Sequence, residues 1–60
     1  MIAENSKVKT IVEKNGHPAG TVGVVVSIYA SGFACEVEVW DADGYPEDVI
    51  TYLISEVETL

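Results

Sequence analysis

From residue 33 to residue 41 apolar and polar side chains alternate: Phe33, Cys35, Val37 and Val39 fall on one side, Ala34, Glu36, Glu38 and Trp40 on the other. A period of two with acids on the second face predicts a strand packed on one side only. Residues 22–30, V-G-V-V-V-S-I-Y-A, are crowded with β-branched and aromatic side chains that suit a pleated surface, and they predict a second strand. Ser31-Gly32 between the two reads as a two-residue hairpin connector, so the strands are expected to pair antiparallel.

Ahead of this pair, residues 7–14 (K-V-K-T-I-V-E-K) predict a first strand with Val8, Thr10 and Val12 on one face. Asn15-Gly16 ends it, because both residues tolerate positive φ. His17-Pro18-Ala19-Gly20 continues as loop, and Asp43-Gly44 is a further turn signal. The local pattern leaves residues 46–60 open. Pro46-Glu47-Asp48 suits a helix start, with Val49, Ile50, Leu53, Val57 and Leu60 at roughly helical spacing. Val49-Ile50-Thr51-Tyr52 favours a strand instead, and an edge position would tolerate Pro46.

Sixty residues make one small domain with a thin core, and a hydrophobic content of 48% places the chain among folded proteins. Residues 1–5 carry no basic segment leading into an apolar run, so no secretory signal is expected there, only a flexible end. The uncharged stretch 15–35 is broken by Gly16, Pro18, Gly20, Gly23 and Gly32, which argues against a membrane helix. A single cysteine excludes an internal disulfide and suits the cytoplasm.

Charge changes the picture further. Three lysines, no arginine and ten acids give a formal net charge of −7, which argues against binding a phosphate backbone. All lysines lie at or before Lys14, whereas eight of the ten acids lie between Glu36 and Glu58. The second half is therefore either a solvated acidic face or one that attracts a basic partner.

Two segments carry a resemblance. G-T-V-G-V-V-V-S-I-Y at 20–29 and A-C-E-V-E-V-W-D-A-D-G at 34–44 are similar to a family of small bacterial proteins known only as a domain of unknown function. Its pattern is G-D-V-G-T-V-V-x-V-Y followed by A-Y-E-V-E-F-x-D-x-D-G. The first segment also resembles the KOW element of ribosomal and transcription-elongation proteins. The resemblance implies an all-β, SH3-like small barrel of about five antiparallel strands. It further implies a strand at 49–52, a turn near 53–56 and a short last strand at 57–59. Departures stand at Cys35 for tyrosine, at Val39 for phenylalanine and in a shorter 15–19 loop, which implies a smaller core that Trp40 and Phe33 help to fill. The family brings no activity with it.

No catalytic or cofactor pattern emerges. Cys35 on the apolar face reads as a buried small hydrophobe, and His17 as an exposed loop histidine without a second histidine to share a metal. Asp41-Ala42-Asp43-Gly44 fails the EF-hand pattern, since its glycine comes two residues early and position twelve is Tyr52. Residues 20–23 lack the lysine and the helix of a phosphate loop. Glu36 and Glu38 read as solvated carboxylates on one strand face. The aromatic set Tyr29, Trp40, Tyr45 and Tyr52 remains, with Tyr29 and Trp40 on solvent faces opposite the valine rows. Such residues on a small barrel form either a peptide groove or a self-association surface. The expectation is a non-catalytic interaction module whose surface of Tyr29, Glu36, Glu38, Trp40, Asp41 and Asp48 meets a basic protein. An accessory, antitoxin or immunity role fits its size and acidity. The alternatives are a KOW-like nucleic-acid or ribosome-associated module and a structural homo-oligomer.

Overall fold

The computed structural model describes residues 2–60. The strands are β1 (Lys7–Thr10), β2 (Val22–Ile28), β3 (Ala34–Trp40), β4 (Pro46–Leu53) and β5 (Val57–Thr59), with one 3₁₀ turn at Ile54–Glu56 between the last two. They form a single antiparallel sheet in the order β4-β3-β2-β1-β5. β4 and β5 stand at its opposite ends, yet Ile50, Tyr52 and Val57 join Val8, Val25, Cys35, Val37 and Val39 in one buried cluster. Strands so far apart in a sheet share a core only if the sheet rolls up, which makes a small barrel.

Two features of β2 allow the roll. The register with β3 shifts between Val25 and Ser27, a bulge that leaves Val26 unpaired and exposed. Gly23 faces inward opposite Val8 and Val39. A Cβ there would lie 2.5 Å from the Glu38 carbonyl oxygen and 2.7 Å from Val37 Cγ1. Only glycine admits so close a crossing of β2 over β3.

β1 is shorter than the 7–14 pattern predicts. Val8 and Thr10 are buried as expected, and Val12 packs against the core, but the ladder ends at Thr10. There the chain exchanges its partners: Thr10 O accepts from Gly20 N–H, and Ile11 N–H donates to Glu56 O. Asn15-Gly16 forms a tight turn, with φ of +53° and +82° and Lys14 bonded to His17 in both directions.

The β2–β3 connector is also longer than two residues. Gly32 N–H closes a turn onto Tyr29 O, and Tyr29 N–H bonds Ala34 O, so the loop spans residues 30–33. Phe33 consequently leaves the apolar row of β3 and is 76% exposed. Neither Phe33 nor Trp40 fills the core; the fully buried Tyr52 does. The C-terminal segment is strand, turn and strand, and its alternative as a helix is not realised. β4 is an edge strand, and Pro46 stands at its first position, where no ladder N–H is needed. At the other end of the chain, Ile2 packs against the core, and Asn5 N–H donates to Val25 O at 2.7 Å, so residues 2–5 are tied down. The expectation of a flexible end at Met1 lies outside the described residues. Among the described residues, no helix is long and apolar enough to cross a membrane.

Candidate functional site

The outer face of β3 carries Glu36, Glu38 and Trp40, because Cys35, Val37 and Val39 take the inner one. Register sets their neighbours. Glu36 stands between Ser27 and Thr51, and Glu38 between Val24 and Val49. Tyr29, just past β2, reaches the same face and donates its hydroxyl to Glu36 Oε1 at 2.6 Å. Thr51 Oγ1 donates to the same oxygen at 2.5 Å. These two hydrogen bonds, that from Thr51 first, hold the Glu36 carboxyl below its ordinary value. Glu36 and Tyr29 thus satisfy each other at the 30–33 end of the sheet.

Glu38 and Trp40 form the second pair, with Trp40 Nε1 donating to Glu38 Oε1 at 3.1 Å. The indole is 44% exposed. Asp41 follows directly, and its Oδ1 accepts the N–H groups of Asp43 (2.9 Å) and Tyr45 (3.0 Å). That bonding explains the Asp41 to Gly44 sequence as the frame of a hairpin turn closed by Asp41 N–H to Tyr45 O. No lysine or histidine lies within ion-pair distance of Glu38, Asp41 or Asp43 among the described residues.

Asp48 does not belong to this face. It pairs with Val39 across β3–β4 and so points to the opposite side of the sheet, where its Oδ2 lies 3.5 Å from His17 Nε2. His17 Nδ1 is 3.6 Å from Glu47 Oε1. The histidine is accordingly not an exposed loop residue: its side chain is 16% exposed, because the Asn15-Gly16 turn folds the loop back against the start of β4. Cys35 is fully buried, and burial pushes its thiol pKa up. It lies four β3 positions from the level of Asp48, roughly 13 Å, so the fold does not bring cysteine and histidine together.

The pattern missed a groove. Residues 22–24 of β2 form its floor, Trp40 and Asp41 one wall, and Lys7 and Leu60 the other, around a half-open volume of about 380 Å³. Alternation of β2 puts Val22 and Val24 outward beside Trp40, whereas the sequence pattern sets the aromatic face opposite the valine rows. That expectation holds for Val25, Val37 and Val39 but not for Val22 and Val24. A continuous valine run does not tell which of its members face out, and Gly23 on the inner side is the signal that could have told. Comparison with protein-family models, curated proteins and solved structures finds no match for this chain.

Proposed function

We propose that this small SH3-like barrel is a non-catalytic interaction module that meets a basic protein through the outer face around Trp40 and Glu38. The observation that carries the reading is an exposed indole beside Glu38 and Asp41, carboxylates without a cation of their own among the described residues. A half-exposed tryptophan beside uncompensated acids favours a cationic, partly apolar counterpart. The net charge of −7 steers such a partner and speeds its encounter. Two of the three lysines already hold glutamates, Lys9 with Glu58 and Lys14 with Glu56, which leaves little for a KOW-like contact with nucleic acid. The buried, free Cys35 suits a reducing cytoplasm. The family resemblance of the 20–29 and 34–44 segments agrees with this reading in fold and adds no activity.

The test is capture from a nuclease-treated lysate by the tagged chain and by its Trp40→Ala/Glu38→Gln double variant. A basic protein held at low salt, released at high salt and lost by the double variant is the expected result. Equal retention by both chains overturns the surface assignment. A structural homo-oligomer is the second reading, favoured by the exposed Val22 and Val49 on the same face. A mass that rises with concentration in sedimentation, in the absence of any partner, would support it.

A further inference from the structure

The groove on β2 has a polarity that says more about its occupant. At one wall stand Trp40 and Asp41, with Glu38 hydrogen-bonded to the indole; at the other stand Lys7 and Leu60, with Val22 and Val24 between. A cation is attracted to the first wall and repelled from the second, while an apolar side chain finds valine and leucine in the middle. Glu38 Oε1 accepts from Trp40 Nε1, which holds the carboxylate beside the indole edge and leaves Oε2 without a partner among the described residues. A planar guanidinium can stack on the indole and direct its N–H groups to that carboxylate at once; a lysine ammonium has no such plane.

Resting on the interaction-module reading, we propose that the groove is a subsite for an extended partner segment that places an arginine over Trp40 beside Glu38 and an adjacent apolar residue on Val22 and Val24. Charge complementarity selects the arginine, and Lys7 fixes the direction in which the segment lies.

The probe is a blocked hexapeptide, Ser-Gly-Arg-Leu-Gly-Ser, titrated into the isotopically labelled chain while backbone amide signals are followed. Shifts confined to residues 7, 22–24, 38–41 and 60 are expected. Replacing the arginine by citrulline, which keeps shape and removes charge, should weaken binding about ten-fold, and so should Glu38→Gln. Replacing the leucine by serine should abolish the shifts at Val22 and Val24. Trp40→Ala should remove binding while leaving the remaining amide spectrum dispersed. Equal binding of the arginine and citrulline peptides, shifts elsewhere on the barrel, or no shifts at millimolar peptide would each overturn the subsite. If lysate capture still depends on Trp40 and Glu38 in that event, the interaction-module reading stands and the groove assignment alone fails.

Discussion

Gly23 is the tightest of the five glycines. Its missing Cβ would meet a backbone carbonyl, that of Glu38, which cannot swing aside as a side-chain tip would. Gly23→Ala should therefore cost about 2–3 kcal/mol, the upper part of the range of core overpacking. Urea unfolding with an unchanged slope measures it, and a loss under about 0.5 kcal/mol would show that β2 does not need the close crossing. Glu36 and Glu56 make a second prediction. The carboxyl of Glu36 is lowered by Thr51 and Tyr29, and that of Glu56 by Lys14 and then by the Leu53 N–H. A carboxyl lowered in the folded state adds stability above the ordinary glutamate value of 4.5 and loses it as pH falls through the folded value. Fewer charges in acid also relieve the net repulsion, so total stability mixes two opposed effects. The difference between the native chain and Glu56→Gln isolates one of them. It should be constant above about pH 6 and shrink toward zero below the folded value. A difference that stays flat into acid would contradict the bonding of Glu56.

At the scale of elements, the free edge of β4 is guarded against the addition of further strands. Its outward backbone groups are taken by side chains: Leu53 N–H by Glu56 (2.8 Å), Val49 N–H by Asp48 (2.9 Å) and Thr51 O by Lys14 (3.3 Å). Charged side chains on an exposed edge are a common protection against edge-to-edge pairing. Lys14 joins three elements at once, since it also pairs with Glu56 at 2.8 Å and sits 5.2 Å from the centre of the Tyr52 ring. Lys14→Met keeps the aliphatic stem and removes the charge. It should cost about 1 kcal/mol, less than additively with Glu56→Gln, and should promote association through β4. An unchanged unfolding midpoint together with an unchanged sedimentation profile would refute the role of Lys14 at this edge.

For the whole molecule, charge and core size act against each other. Among the described residues, eight buried apolar ones, five of them valines, make a core in which Tyr52 is the largest side chain, and its hydroxyl finds no hydrogen-bond partner there. Burial raises the Tyr52 pKa, so the phenol stays neutral there. Around this thin core, the net charge of −7 is repulsive. Stability should therefore rise as salt goes from about 0.02 M to about 0.5 M, by about 1 kcal/mol, because the Debye length shortens to a few ångströms. A fall over the same range would mean that the Lys14–Glu56 and Lys9–Glu58 pairs outweigh the general repulsion.

Period-two patterning by itself determined β3, the inward side of Val37 and Val39 and the burial of Cys35, and turn chemistry the breaks at Asn15-Gly16 and Asp43-Gly44. Strand alternation and positive-φ turns are local consequences of side-chain chemistry, so they can be read locally. Acidity was equally legible, and with it the placing of Glu36, Glu38 and Trp40 on one face. What only the tertiary structure decided are the features that depend on distant chain segments. The helix-or-strand ambiguity that local propensity leaves at residues 46–60 was resolved by pairing, of Pro46–Leu53 with β3 and of Val57–Thr59 with β1. Asp48 left the acidic face because register with Val39 turned it toward His17, and His17 lost its exposure to the same contact. Val22 and Val24 became groove rather than core because a bulge and one inward glycine divided the valine run between two faces. Tyr52 became core rather than surface because the sheet rolled. Composition counts apolar residues; only the roll of the sheet decides which of them are left facing water.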